Sequence, residues 1–236
     1  MIAEEQAVII LQARLGSQRL PGKVLALLGA WPLVEFCIAR LVAANVGPVV
    51  LATTTGADDQ ALVDLGRRLG VATWTGPDDD VLARSAEATE AYPRARHIIR
   101  ATADNPFVDL GTSGRILKAL SAGADYAVEE ALPLGTAVEG VRRTVLLRAQ
   151  READTPYDRE HVTPWVRRTA GIVRVTPLAP EDVRAPDLRL TVDTPEDLTY
   201  ARRLVTALEA GGGDPRLTPL ADVIAAARRL PAREVA

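Results

Sequence analysis

A rhythm restricts the fold more than any single motif: short, uniformly apolar runs alternate with longer amphipathic stretches. Ala7-Val8-Ile9-Ile10-Leu11 has no polar face, as a strand buried on both sides requires. Pro48–Ala52 and Val71–Trp74 read as further strands and His97–Thr102 as a further buried one, and helical patterns cover about 31–44, 58–70 and 79–92. Strands alternating with helices over short connections predict βαβ units. The expected class is therefore α/β, a mostly parallel sheet in a three-layer α/β/α, Rossmann-like arrangement. The rhythm loosens over about 125–175 and resumes with a strand at Leu188–Val192 and a helix at about 195–210. A last helix is expected near 220–230, after Gly211-Gly212-Gly213. With neither an internal repeat nor a long linker, residues 1–236 are expected to form one domain with an irregular insertion at about 125–174.

Composition removes several function classes. With 28 basic and 31 acidic residues the net charge is −3, too little positive charge for a general nucleic-acid or membrane-surface binder. Cys37 stands alone, so neither an internal disulfide nor a cysteine zinc site is available. No apolar run approaches the roughly 18 residues of a membrane span. Glu4 and Glu5 lie where a signal peptide would be cationic, so a soluble cytoplasmic protein is expected.

Open parallel sheets bind ligands beyond the carboxyl ends of their strands. The segment after the first strand, Gln12 to Lys23, holds Arg14, Arg19 and Lys23 with Gly16, Ser17 and Gly22, and no acid lies between Glu5 and Glu35. Glycines let backbone N–H groups approach an anion, and arginine forks and a lysine point charge suit phosphate oxygens. The segment is not a P-loop, since five residues separate Gly16 from Gly22 and Val24 follows Lys23; a G-x-G-x-x-G is absent. By its residues alone it is either a polyphosphate cradle or an exposed loop with solvated cations. Lys23 and Lys118 are the only lysines among the 28 basic residues; Lys118 reads as a helix-surface residue.

Two aspartates fall just past strand ends. Asp104 reads as a turn residue before Asn105-Pro106 or as a Mg²⁺ carboxylate. Asp193 reads as a helix cap or as a second metal carboxylate; Thr194, just before Pro195, can cap the helix and leave Asp193 facing the strand ends. Asp78-Asp79-Asp80 reads as a complement to a helix dipole or as a further metal site. Trp31, Trp74 and Trp165 read as core or interface residues.

Ala13-Arg14, Ser17 and Arg19-Leu20-Pro21 with Lys23 match the pattern A-R-x-x-S-x-R-L-P-x-K. This opening resembles that of the cytidylyltransferases that activate sugar acids, in particular the spore coat polysaccharide biosynthesis proteins and the acylneuraminate and ketodeoxyoctonate enzymes. The resemblance continues in family order through Ala52-Thr53-Thr54, Gly76 with Asp79-Asp80-Val81-Leu82-Ala83-Arg84, Arg100 to Asp109, Arg159 to Pro164 and Arg189 to Asp197. Ala103 departs from it, standing where the pattern has glycine. So does Ala30-Trp31, in place of Gly-Lys, and the match is loose from Tyr126 to Val141.

The resemblance implies a nucleotide-diphospho-sugar transferase-like fold and transfer of CMP from CTP to a small anionic acceptor, with release of pyrophosphate. It implies Mg²⁺ on Asp104 and Asp193, catalytic roles for Lys23, Arg14 and Asp104, and nucleotide contacts from Ala13, Arg14, Gly16, Ser17, Arg19, Lys23, Thr53, Asp80 and Arg84. Glu139 and His161 are candidate acceptor contacts; by residue type Glu139 suits a solvated surface as well, and His161 suits a base or a structural hydrogen bond. A homodimer joined through about 125–174 is also implied. The residues leave open a nucleotidyltransferase for another NTP, a glycosyltransferase on the same frame, or an inactive nucleotide-binding homologue.

Overall fold

Strand β1 (Ala7–Gln12) lies at the centre of a mixed sheet, because its side chains find an apolar layer on either side: Ile9 and Leu11 enter one core, Val8 and Ile10 the other. The computed structural model describes residues 6–231; Glu4 and Glu5, read above against a leader, lie outside them. A two-strand hairpin follows, β2 (Leu27–Leu28) with β3 (Trp31–Pro32), and leads into α1 (Leu33–Ala43). The parallel half continues through β4 (Val49–Thr54), α2 (Gln60–Leu69), β5 (Ala72–Gly76), α3 (Val81–Glu87), β6 (His97–Thr102) and α4 (Thr112–Ser121). The second half adds β7 (Tyr126–Val128), β8 (Glu139–Arg142), α5 (Arg143–Glu152), α6 (Pro156–His161), α7 (Pro164–Arg168) and β9 (Arg174–Val175). Helices α8 (Pro195–Glu209) and α9 (Leu220–Arg229) close the described chain.

Among the described residues the sheet has seven strands in the order β5-β4-β1-β6-β8-β7-β9. β5, β4, β1 and β6 run parallel; β8 pairs antiparallel with β6 and with β7, and β9 is parallel to β7. Apolar residues of α1, α2, α4, α8 and α9 fill one core, those of α3, α5 and α7 the other. The expected α/β class with a mostly parallel sheet and helices on both faces is what the chain adopts. No described helix is long and apolar enough to cross a membrane.

Three expected elements differ. Leu188–Val192 is not a ladder strand: it makes one isolated bridge, Arg189 with Leu134, and Leu190 N–H donates to the Leu134 carbonyl at 2.7 Å. The segment instead passes close over Gly135, whose φ is +92° and whose missing Cβ would lie 2.5 Å from Thr191 N. The helix expected from 31 starts at Leu33, because Trp31-Pro32 is spent on the hairpin. The helix expected over 79–92 covers Val81–Glu87 and then tightens into turns in which Glu90 N–H reaches the Glu87 carbonyl.

Candidate active site

β1 and β6 are neighbours, in a register that sets Gln12 beside Thr102. The chain leaves β1 toward β4, whereas β6 leads to the other side of the sheet, so the loops beyond Gln12 and Thr102 part. A cleft of about 560 Å³ opens there. Its walls are residues of the segment from Gln12 to Lys23 (Gln12 to Arg14, Ser17 to Arg19 and Lys23), Thr102 to Asp104, Val81 and Arg84 of α3, Glu160 and His161 of α6, and Asp193.

The Gln12–Lys23 segment closes on one residue. The Leu15 carbonyl accepts from Ser17 N–H at 2.8 Å and from Gly22 N–H at 3.0 Å; Gly22, at φ +70°, makes the turn that permits this. Three cations are thereby presented. Arg14 pairs with Asp78 at 3.1 Å and with Glu160 at 3.9 Å, and Arg19 pairs with Asp193 at 3.1 Å. Lys23 Nζ lies 3.4 Å from Asp104 Oδ2 and 3.1 Å from Asp193 Oδ1, and donates to the Val192 carbonyl at 2.9 Å.

Asp104, just past the end of β6, and Asp193, at the end of the Leu188–Val192 segment, therefore converge from far apart in sequence. Thr102 donates its hydroxyl to Asp104, and Val192 N–H donates to the Asp104 carbonyl at 2.8 Å, which seats the two segments together. Thr194 and Asp197 form the capping box of α8, so Asp193 is not used as the cap. Burial pushes the Asp193 carboxyl up; Lys23, Arg189 and Arg19 overcome this and hold it below the ordinary aspartate range. Among the described residues no cluster of three or more His, Cys, Asp and Glu can hold a metal.

Other expected positions sit differently. Ala13, Ser17 and His161 line the cleft, as does Arg84, a largely buried side chain that donates to the Pro77 carbonyl and leaves Nε without a partner. Burial, helped by Arg14, lowers the Arg84 pKa. Thr53 is fully buried, gives its hydroxyl to Asp59 at 2.9 Å and stands outside the cleft lining. Gly16 is exposed, with no atom within 4 Å of a built Cβ, and stands outside the lining. Asp80 also lies outside it: the carboxylate caps α3 at Ala83 N–H (2.8 Å) and pairs with Arg159 at 3.2 Å. Glu139 is not on a solvated surface and does not line the cleft; it pairs with Arg100 and accepts from Tyr126 and from Thr163. Burial raises its pKa and Arg100 with these donors more than reverses the effect. Ala103 does not take a positive φ, so an alanine is at ease where the pattern has glycine.

Immediately after His161, Val162 has φ +70° and ψ −54°, and Thr163 N–H donates to the His161 carbonyl at 2.8 Å. This is the rarer, positive-φ form of the γ-turn, held in place by Val162 being buried. It aims the end of α6 at the cleft while α7 departs.

A family model described as cytidylyltransferase matches residues 8–217. The chain belongs to the cytidylyltransferase family. The spore coat polysaccharide biosynthesis protein SpsF of Bacillus subtilis is 36% identical over 205 residues, covering 84% of this chain and 85% of the relative. A 3-deoxy-manno-octulosonate cytidylyltransferase of Anaeromyxobacter dehalogenans is 30% identical, over 84% and 97%. In structure, a cytidylyltransferase from Leptospira borgpetersenii superposes with a TM-score of 0.83 at 23% identity, over 95% and 94%. This chain is thus a nucleotidyltransferase by descent as well as by fold.

Some residues of this cleft fall within the matched segments without a site role being read from them. Gln12 and Arg100 both line it, joined by an Arg100 Nε to Gln12 Oε1 bond of 3.0 Å. The available signal was a polar residue at the end of one apolar strand and a charged one within another. Glu160 lines it beside His161, and Arg189 holds Asp193 at 2.6 Å. Asp59 left no signal beyond standing at a helix start.

Proposed function

We propose that this protein transfers CMP from CTP to a small anionic acceptor and releases pyrophosphate, with Mg²⁺. The observation that carries the reading is the convergence of Asp104 and Asp193 on one cation, Lys23 Nζ, at the mouth of the β1/β6 crevice. Attack by the acceptor oxygen forms a bond to the α-phosphorus and breaks its bond to the bridging oxygen of the leaving pyrophosphate. Lys23, Arg14 and Arg19 stand where they can hold the triphosphate and stabilise the charge that grows on the leaving group. Two carboxylates with the remaining positions left to water and phosphate oxygens form a donor set that Mg²⁺ accepts, so Asp104 and Asp193 would hold it. When bound, the metal supplies charge neutralisation.

The acceptor is a sugar acid or another small compound with a hydroxyl, phosphate or phosphonate oxygen. A phosphate or phosphonate is already ionised near neutral pH; a hydroxyl requires a proton acceptor, and His161 lines the cleft. The test is thermal stabilisation by CTP, UTP, ATP and GTP with Mg²⁺, on wild type and Asp104→Ala, followed by pyrophosphate release across acceptors. The largest shift with CTP, lost in the variant, supports the reading; preference for another nucleotide overturns the cytidylyl part. A homodimer joined through about 125–174 is part of the proposal. Sedimentation equilibrium should give twice the 25.2 kDa chain mass, and the single-chain mass would remove it.

A further inference from the structure

Asp59 ends a short 3-10 turn (Ala57–Asp59) and occupies the N-cap position of α2, where an aspartate ordinarily accepts from its own helix. Here it makes no side-chain bond to α2. Its carboxylate turns toward the strand ends instead. Oδ1 accepts from Leu15 N–H at 2.8 Å, while Oδ2 accepts from the Thr53 hydroxyl at 2.9 Å, Thr54 N–H at 3.1 Å and the Thr54 hydroxyl at 2.6 Å. The residue is 3% exposed, and all four donors are neutral. Burial drives the carboxyl upward, and the donors, the Thr54 hydroxyl first, more than compensate and keep it below the ordinary aspartate range.

Leu15 is the residue on which the phosphate segment closes, since its carbonyl takes both Ser17 N–H and Gly22 N–H. Arg14 precedes it, and Lys23 follows Gly22. One residue is therefore gripped at its N–H by Asp59 and gathers the segment at its carbonyl. We propose that Asp59 is a positioning residue for nucleotide binding: through the Leu15 peptide it sets where Arg14 and Lys23 stand. The inference rests on the cytidylyl reading above for its nucleotide, and on hydrogen bonds alone for its loop.

Asp59→Asn tests it, because the amide keeps the shape but turns an N–H₂ toward either Leu15 N–H or the threonine donors. Thr53→Val is the milder companion; it removes one donor and leaves the Leu15 bond. Three quantities are measured: hydrogen exchange of the Ser17 and Gly22 amides in nucleotide-free protein, CTP affinity with Mg²⁺ by calorimetry, and melting temperature. Asp59→Asn should speed exchange at both amides and raise the CTP Kd about tenfold in folded protein. Thr53→Val should move both in the same direction, by about two- to threefold.

A lower melting temperature with unchanged exchange and unchanged Kd would make Asp59 merely structural and overturn the proposal. If Asp59→Asn does not fold, Thr53→Val decides alone, and no change in either quantity overturns it. Wild type that binds no CTP sinks the cytidylyl reading only, since the exchange rates still judge whether Asp59 holds the segment.

Discussion

Lys23 Nζ and Asp193 Oδ1 stand 3.1 Å apart although 170 positions separate them in the chain. The lysine side chain is 11% exposed and the aspartate 16%, so this contact is sheltered from solvent screening. A compact ammonium in that place can face carboxylate and phosphate oxygens alike.

Lys23→Met is expected to lower kcat by about 100- to 1,000-fold, the cost of removing one donor aimed at developing charge. Lys23→Arg should not restore it, because a planar fork cannot replace a point charge between two carboxylates. Steady-state pyrophosphate release with CTP checks both, and near-wild-type kcat in Lys23→Met would remove Lys23 from the reaction.

Glu139→Gln leaves Arg100 without its counter-charge in a pair whose two side chains are each 16% exposed. Breaking such a pair costs about 3 kcal/mol, readable by urea unfolding at pH 7. The native carboxyl titrates below its ordinary 4.5, so its stabilisation is complete above that value and is lost as pH falls through the lower native pKa. The variant should lack this part of the acid slope. An identical slope in both proteins would contradict the assignment.

His97 is 8% exposed, and its Nδ1 has no partner among the described residues. Burial foremost, with Arg142 and Arg96, holds its pKa below the ordinary 6.5. On acidification the unfolded chain takes up this proton first. Stability should therefore be unaffected by this group above pH 6.5 and should fall below it, until the native histidine also titrates. His97→Gln should flatten the melting temperature against pH just below 6.5, whatever it does to stability overall.

Two glycines should answer alanine differently. Gly135→Ala forces a Cβ at φ +92° to within 2.5 Å of Thr191 N, backbone that cannot step aside, and should cost about 2 kcal/mol or more. Gly16→Ala meets nothing within 4 Å and should stay within about 0.5 kcal/mol of wild type. Paired thermal melts of the two variants check the contrast; equal shifts would contradict it.

The parallel half of the fold was legible because its central strands carry apolar runs that end in polar loops. β1, β4 and β6 and the loops after β1 and β6 follow directly from that pattern. Asp193 was placed at the cleft for an imperfect reason. Its segment is no strand, and it reaches the site because Val192 N–H bonds to the Asp104 carbonyl and because Gly135 permits a crossing. Thr53 and Asp80 carry site-like residue types, yet their side chains serve the frame, one beneath the loop and one as a helix cap. Asp59 was illegible for the converse reason: an aspartate at a helix start reads as a cap, and only the distances show its carboxylate facing elsewhere.

The antiparallel joint between β6 and β8 has a consequence for descent. On one side of it β1, β4, β5 and β6 follow one another in the chain through α1, α2 and α3, so no strand there can be exchanged without re-threading the chain. On the other, β8, β7 and β9 are laid against an edge, and an edge tolerates lengthening, trimming and replacement. A lineage built on this frame can vary its antiparallel side while the half that carries the Gln12–Lys23 segment stays locked.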